Sequence, residues 1–275
     1  MASRLAKGLV ALALSGVLGS CADYGDTVCD EPSGGCFRTN NSQALTLRVV
    51  RARNPPLPEG SPVNVRSVIV TAYDSYDEDM SGSVGALYAQ EYSPVGDATD
   101  PWAPCPITAD RRYRVCAISL FSPTLAPTSF IPRAGDIVDL VGGAYDEFDC
   151  SGVCGSPPQP FANGRFIPQV SRGTARQAGV ATAPTPLAVT LDDIVNHNAE
   201  LMGILVTVEN VTLMGAPDRR GEIALTAGRD GLKLTQEFTP IADAAAGTRF
   251  SRITGVVTFF YGPKLVPRST ADLVR

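Results

Sequence analysis

Oxygen-bearing side chains recur at alternate positions in the segment Asp77-Glu78-Asp79-Met80-Ser81-Gly82, a spacing that can gather ligands around a cation. In calcium loops, alternate side chains supply oxygens and a glycine at the sixth position makes the turn. Asp77, Asp79 and Ser81 therefore form a candidate calcium site. The twelfth position is Tyr88 and not a bidentate Glu, which excludes an EF-hand. A solvated acidic hairpin between two strands is the alternative that we favour.

Acidic residues also cluster at 146–149 and 192–193, where paired carboxylates could serve acid–base catalysis. Both groups fall in predicted turns, where solvated acids are the default. The sequence contains no Gly-x-Ser-x-Gly elbow, phosphate-binding loop or His-Glu-x-x-His helix. Its single histidine, His197, stands in a polar stretch that suits a solvated or capping side chain. We predict no catalytic residue, and a hydrolase with an unrecognised site is kept as an alternative.

Basic and aromatic residues in the C-terminal half could neutralise phosphates and stack on bases of a single-stranded nucleic acid. The candidates are Arg219, Arg220, Arg229, Lys233, Phe260 and Tyr261. Residues 22–160 carry nine basic and 18 acidic side chains, whereas residues 161–275 carry 12 and ten, so only the second half favours a polyanion. In the competing interpretation, which we favour, the arginines lie in ordinary turns and the aromatic residues alternate between the core and the surface.

Cysteine usage predicts an oxidising compartment. If Cys21 is set aside, six of the seven cysteines remain, and an even number suits disulfide pairing. They are Cys29, Cys36, Cys105, Cys116, Cys150 and Cys154. Their proximity suggests three local bridges, 29 to 36, 105 to 116 and 150 to 154, although six cysteines allow 15 connectivities. A zinc site is disfavoured because the chain has no Cys-x-x-Cys pair and only one histidine.

The first 20 residues combine a basic start at Arg4 and Lys7 with an apolar run of about ten residues, as in a secretory signal peptide. The residues that follow, Leu18-Gly19-Ser20-Cys21, resemble the lipobox of bacterial lipoproteins. The resemblance implies cleavage before Cys21 and acylation there, which gives stable membrane anchoring. With Ala22 next to the anchor, we expect the outer membrane. The alternative is an ordinary signal peptide with Cys21 as a disulfide partner.

Residues 21–43 are polar and are predicted to form a tether. Beyond it, the apolar spacing is that of strands. The predicted strands are 63–73, 113–121, 137–141, 201–208, 222–227 and 252–260. The predicted helices are few and short, Leu191 to Asn196 and Pro240 to Ala246. We therefore predict an all-β protein.

An internal repeat supports this prediction. The segment that begins Gly135-Asp136-Ile137 has a partner that begins Gly247-Thr248-Arg249, and in each a second glycine follows the first by eight residues. A closing segment ends each copy at Pro168 or Pro267, after 33 residues in the first copy and 20 in the second. The glycines suit a turn and a sharp strand bend, and the 13 extra residues suit an insertion at a hairpin tip.

These residues resemble OB-fold-like modules that bacteria attach to secreted nucleases and surface proteins. Upstream, Leu45 to Arg48 and Leu191 to Ile194 are matched in the two copies. The resemblance implies two tandem five-stranded barrels, residues 44–172 and 187–275, joined by a linker at 173–186 that is rich in Ala, Thr and Pro.

Such modules bind nucleic acids, sugars or proteins, and the fold alone does not choose among them. The main hypothesis is a non-catalytic envelope lipoprotein that binds or scaffolds a protein or glycan. The alternatives are a weak single-stranded nucleic-acid binder that assists a nuclease or DNA uptake, and the hydrolase. No cofactor is predicted apart from the candidate calcium ion.

Overall fold

The fold is described from a computed structural model. It describes residues 27–30, 35–38, 44–51, 57–75, 85–95, 105–149, 166–228, 231–259 and 262–275. Strands dominate these residues, which confirms the all-β prediction. The longest helix in this part of the chain has six residues, and none of its helices could cross a bilayer.

The N-terminal elements are a hairpin, a short helix and the strands of a first sheet. They are β1 Thr27–Asp30, β2 Gly35–Arg38, α1 Leu47–Val50, β3 Pro62–Tyr73, β4 Ala86–Pro94, β5 Tyr113–Phe121, β6 Thr124–Ala126, β7 Asp136–Asp149, β8 Phe166–Ser171 and β9 Thr174–Val180. The C-terminal elements form a second sheet with two short helices. They are β10 Leu187–Ala188, α2 Leu191–Asn196, α3 Asn198–Leu201, β11 Leu205–Thr212, β12 Glu222–Ala224, β13 Lys233–Thr235, β14 Arg249–Phe259, β15 Pro263–Val266 and β16 Leu273–Val274, with a 3₁₀ turn at Thr270–Asp272 before the last.

Module 1, residues 44–180, contains a closed five-stranded barrel. Its strands pair in the order β3-β4-β5-β8-β7, and β7 pairs back with β3 to complete the ring. All neighbours are antiparallel except β5 and β8, which are parallel. Register shifts in β3 between Val63 and Val68 let that strand bend around the barrel. Apolar side chains that alternate along the strands fill the interior, including Leu87, Ile118 and Leu140.

Module 2, residues 187–275, repeats the strand order as β11-β14-β15-β13-β12, again with one parallel pair, β13 and β15. The two strands at the ends of this order, β11 and β12, do not pair with each other. The segment that follows β11 instead forms backbone hydrogen bonds with β12. The Met214 N–H donates to the Ala224 carbonyl at 2.9 Å and the Asp218 N–H donates to the Glu222 carbonyl at 2.9 Å. An irregular segment therefore closes the smaller module.

The repeated glycines occupy equivalent places in the two modules. Gly135 and Gly247 both have positive φ and precede the fourth barrel strand, β7 or β14. The second glycines lie against the returning strand, Gly143 against β8 and Gly255 against β15. A Cβ on Gly143 would lie 2.4 Å from Val170 Cγ1, and a Cβ on Gly255 would lie 2.7 Å from the Val266 carbonyl oxygen. These close approaches are the physical reason for the predicted bend glycines.

The repeat also extends upstream, but the equivalent residues in the second module come two positions earlier than the sequence alignment predicted. The N–H of Leu45 donates to Asn64 in β3, and the N–H of Val189 donates to Thr207 in β11. The next residues, Thr46 and Thr190, cap the helices α1 and α2 through their hydroxyls. Leu45 is therefore equivalent to Val189, and not to Leu191. Both modules begin with a chain segment bonded to the first barrel strand and a Thr-capped helix.

Four expectations need correction. The acidic groups at 146–149 and 192–193, predicted to lie in turns, belong to β7 and to the first turn of α2. Residues 174–180, within the predicted linker, form β9, which pairs with β7, so the connection between the modules is only 181–186. The predicted helix at Pro240 to Ala246 is a series of turns, because Asp243 adopts a left-handed conformation that interrupts a right-handed helix. The predicted strand at 201–208 begins later, at Leu205, because α3 and a turn at Gly203 take its first residues.

Candidate functional site

The outer face of β4 and β5 is the surface that OB barrels use for ligands, since those strands are the second and third of the barrel. Alternate residues of β5 divide between two environments. Cys116, Ile118 and Leu120 face the interior of module 1. Val115 and Ala117 point outward and pack with the core of module 2. We call this outward side the β4–β5 face.

Module 2 covers this face. Ala72, Ala86 and Tyr88 of module 1 form one buried cluster with Leu205 and Val256 of module 2. The Tyr88 ring also lies 6.2 Å from the Phe238 ring, tilted by 52°. Contacts of this kind bury apolar surface from both modules and hold them as one body. We call this contact the module junction.

Three module 1 side chains bond backbone atoms of module 2 at the junction. The Leu205 N–H donates to Gln90 Oε1 at 3.1 Å. The Arg51 guanidinium donates to the Ala199 carbonyl. The Thr71 hydroxyl shares its hydrogen between the Tyr88 carbonyl of its own module, at 3.1 Å, and the Gly203 carbonyl, at 3.4 Å. Gln90 is fully buried, so its bond with the Leu205 N–H stands in place of water.

Gly203 makes the close approach possible. It has a φ of 80°, and a Cβ placed on it would lie 3.2 Å from Ala117 Cβ and 3.4 Å from the Ile118 amide nitrogen. Glycine accepts both the left-handed conformation and the narrow space. The backbone of module 2 can therefore reach the surface of β5.

The connection between the modules is fixed at both ends. The Ala181 N–H donates to the Gly135 carbonyl at 2.8 Å, and the Tyr92 hydroxyl donates to the Thr185 carbonyl at 3.0 Å. Tyr92 is half-exposed and meets Tyr113 edge to face, with ring centroids 6.4 Å apart. Burial raises the pKa of the Tyr92 phenol, so the phenol stays a donor at neutral pH.

A cluster of charged side chains lies on β12, β13 and β15 of module 2. Glu222 Oε2 is 2.5 Å from Lys233 Nζ, and Glu222 Oε1 is 2.8 Å from Lys264 Nζ. The Glu222 side chain is 1% exposed, that of Lys264 8% and that of Lys233 26%. Asp218 adds a longer contact, 3.9 Å from Lys233 Nζ. We call these four residues the Glu222 cluster.

Strand pairing explains the cluster. The parallel register sets Lys233 beside Lys264, and the antiparallel register places Glu222 two residues diagonally from Lys233 on the same face. Burial acts to raise the pKa of Glu222, but hydrogen bonds from the two lysines outweigh it and hold that pKa below its usual range. The carboxylate therefore stays ionised, with each oxygen held by an ammonium group.

The structure separates the residues predicted to bind nucleic acid. Arg219 and Arg220 are exposed in the turn before β12. The Asp218 carboxylate organises that turn by accepting the N–H groups of Arg220 and Glu222 at 2.8 and 3.0 Å. Lys233 is instead part of the Glu222 cluster. Arg229, Phe260 and Tyr261 lie outside the described residues.

Sequence analysis missed Glu222 and Lys264 as partners. The signal that could have found Lys264 is its position between apolar neighbours in the segment Pro263-Lys264-Leu265-Val266, where a charged side chain needs a partner. No signal identified Glu222 as that partner, because only the strand order brings β12, β13 and β15 together.

One predicted disulfide is present, and the cysteines of a second predicted pair occupy paired backbone positions of a hairpin. Cys105 and Cys116 form a disulfide with Cα atoms 5.0 Å apart, and both are buried in the core of module 1. Cys29 and Cys36 are direct partners in the β1–β2 register. Cys21, Cys150 and Cys154 lie outside the described residues.

The candidate calcium residues Asp77, Asp79 and Ser81 also lie outside the described residues. Across the part of the chain that is described, no group of three or more His, Cys, Asp or Glu side chains is arranged to hold a metal ion. His197 lies between the two short helices, as the C-cap residue of α2 and the N-cap residue of α3. No family model, curated protein or solved structure matches this chain.

Proposed function

We propose that the mature chain is a non-catalytic lipoprotein of the cell envelope, held in the outer membrane by a lipid on Cys21. Its two modules form one block that binds or scaffolds a protein or glycan partner. The observation that carries this proposal is the module junction, where buried side chains of module 1 bond the backbone of module 2. A block of this kind presents its outer surfaces in a constant relative orientation, which suits a scaffold.

The chemistry of the Glu222 cluster supports a binding role over catalysis. A general acid or base needs a pKa near the working pH and access to the reacting atom. Glu222 has a lowered pKa and a buried carboxylate with both oxygens ion-paired. Its geometry is that of a structural ion pair between strands.

The same cluster favours a protein or glycan partner over a polyanion. Affinity for nucleic acid depends on cations that can neutralise phosphates. Lys233 is already paired with Glu222, at 2.5 Å, and Asp218 adds a second acidic group nearby. This pairing removes Lys233 from the residues predicted to contact nucleic acid.

The anchor is tested by Cys21→Ser in cells fed an alkyne-labelled fatty acid. Wild-type protein should carry the label and fractionate with the outer membrane, and the variant should carry none because the acylated thiol is gone. Labelling that persists in the variant would exclude Cys21 as the anchor.

The binding role is tested with a photo-crosslinking amino acid at Arg219 and Ala224, which are exposed on module 2. Buried Ala117 serves as the control position. In intact cells, we expect a discrete adduct with one envelope protein or glycan from the exposed positions only. Adducts that contain nucleic acid, or no adduct from either exposed position, would contradict the proposal.

A further inference from the structure

The β4–β5 face extends beyond the area that module 2 covers. Alternate residues of a strand share a side, so Tyr92 lies on the same face as Gln90, and Tyr113 lies on the same face as Val115 and Ala117. Gln90 is fully buried, whereas Tyr92 is 38% and Tyr113 41% exposed. The cover of module 2 therefore ends between Gln90 and Tyr92, and two tyrosine rings stand at its border.

The two rings are held in place before any ligand binds. They meet edge to face, with centroids 6.4 Å apart. The Tyr92 hydroxyl is fixed by its bond to the Thr185 carbonyl, and the Arg112 guanidinium lies 6.0 Å from the centroid of the Tyr113 ring. Groups that are already ordered lose less conformational freedom on binding, so this corner of the face is preorganised.

A hydrogen-bonding pair lies beside the Tyr113 ring. The Asp110 carboxylate accepts the Arg112 N–H at 3.1 Å and the Arg112 guanidinium at 3.2 Å. A hydrogen bond from the Thr108 hydroxyl, together with those from Arg112, lowers the pKa of Asp110, which is therefore an ionised acceptor at neutral pH. Both side chains of the pair are exposed, so they offer donors and acceptors side by side. We call Tyr92, Tyr113, Asp110 and Arg112 the tyrosine patch.

This combination suits a sugar ring better than a protein surface or a polyanion. A tyrosine presents a rigid apolar ring on which the C–H face of a sugar can pack, and the hydroxyls at the rim of the sugar need both donors and acceptors. A specific protein interface buries about 800 Å² on each partner, far more than two half-exposed rings offer. Polyanions are disfavoured because residues 22–160 carry nine basic and 18 acidic side chains.

We propose that the tyrosine patch is a binding site for an uncharged glycan, with a sugar ring packed on Tyr113 and its hydroxyls bonded by Asp110 and Arg112. This inference rests on the binding role proposed above and narrows the partner to a neutral saccharide. It does not depend on the lipid anchor.

The first test uses the purified mature chain and saturation-transfer NMR, which detects weak complexes. The probes are neutral hexasaccharides of N-acetylglucosamine, glucose and mannose, with a hyaluronan hexasaccharide as the acidic comparison. We expect at least one neutral probe to receive saturation, and the transfer should persist at about 0.5 M salt because no ion pair with the ligand is screened. No saturation of any neutral probe, or transfer to hyaluronan alone, would overturn the proposal.

Substitutions of Tyr113 locate the site. Tyr113→Ala should weaken binding of the neutral probe by about tenfold, whereas Tyr113→Phe, which keeps the ring, should bind within about threefold of the wild type. Ile131→Ala, at another exposed apolar position of module 1, is the matched control and should bind as the wild type does. Equal affinity of Tyr113→Ala and Ile131→Ala would exclude the tyrosine patch as the site.

Arg112→Ala tests the polar part of the patch. It removes a donor beside Tyr113 and should weaken binding several-fold, and Arg133→Ala, at an exposed arginine elsewhere in module 1, should not. Equal binding by the two variants would contradict recognition through Arg112. If no neutral probe binds but the crosslinking positions on module 2 still capture a protein, the binding role stands and this inference fails.

Discussion

At the scale of single residues, Glu222 is a buried charge held by two lysines. Its carboxylate is 1% exposed, and its two oxygens bond lysines from two different strands. A buried ion pair adds little over an apolar core, but the loss of one member leaves the others desolvated without a counter-charge. Glu222 is therefore important for the stability of module 2 even though it stands outside the hydrophobic core.

We expect Glu222→Gln to lower the free energy of unfolding by about 3 kcal/mol, because buried Lys264 would lose its 2.8 Å ion pair with Glu222. Urea denaturation at pH 7 measures the change. Glu209→Gln, on an exposed position of β11, is the matched control and should be close to neutral. Equal losses of unfolding free energy in the two variants would show that the buried ion pair does not contribute to stability.

The pH dependence follows from the same carboxylate. Its pKa in the folded protein lies below 4.5, its ordinary value. A group with a depressed folded pKa contributes stability that is fully present above its unfolded pKa and is lost as the pH falls through the folded one. The stability difference between wild type and Glu222→Gln should therefore be constant above about pH 5 and shrink at more acidic pH. A difference that grows on acidification would contradict this assignment.

At the scale of elements, β7 and β14 perform the same task in the two modules. Each begins after a glycine with positive φ. The N–H of Gly135 donates to Val70 in the first barrel strand of module 1, and the N–H of Gly247 donates to Leu213, just after the first barrel strand of module 2. Each bends at a second glycine against the returning strand. The two close approaches differ in what a side chain would strike, which is a side-chain methyl group of Val170 at Gly143 and the backbone carbonyl of Val266 at Gly255.

This difference predicts unequal costs for the same substitution. Gly255→Ala should destabilise the protein by about 2 to 3 kcal/mol, because the Val266 carbonyl cannot move without disturbing the β14–β15 pairing. Gly143→Ala should cost less, since the Val170 side chain can adjust. Gly215→Ala, where a Cβ would have open space, is the control. Thermal denaturation of the three variants checks the order, and a smaller loss at Gly255 than at Gly143 would contradict it.

The strands and the repeat could be predicted from sequence because both depend on local pattern. Alternation along Tyr113–Phe121 predicted β5 with its observed bounds, and the glycine spacing predicted the bend in β7 and β14. Sequence could not predict the module junction, because Gln90 is like any polar residue on the outside of a strand until module 2 covers it. The Glu222 cluster depends in the same way on a strand order that brings distant residues together.

The linker prediction was wrong for 174–180 for a physical reason. Small and polar residues such as Thr174 and Gly179 suit a flexible connection, but in this chain they return beside β7 and form backbone pairs with it. Composition indicates where a chain can turn and says little about what it meets after the turn.

At the scale of the whole molecule, the junction predicts cooperative unfolding. Buried contacts link β4 and β5 to β11 and β14, so neither module should lose its core while the other stays folded. Hydrogen exchange by mass spectrometry should give equal opening free energies for the most protected amides of both modules. Gln90→Leu should make them unequal. Separate opening free energies in the wild type would contradict a single cooperative unit.

The place where the chain enters module 1 has a mechanical consequence. Leu45 bonds Asn64 of β3, and Arg51, just beyond α1, bonds Ala199 of module 2, so the entry segment is attached to both modules within seven residues. A pull on the chain before residue 44 would therefore be divided between β3, through Leu45, and Ala199 of module 2, through Arg51. Such a force would load the module junction directly, and not module 1 alone.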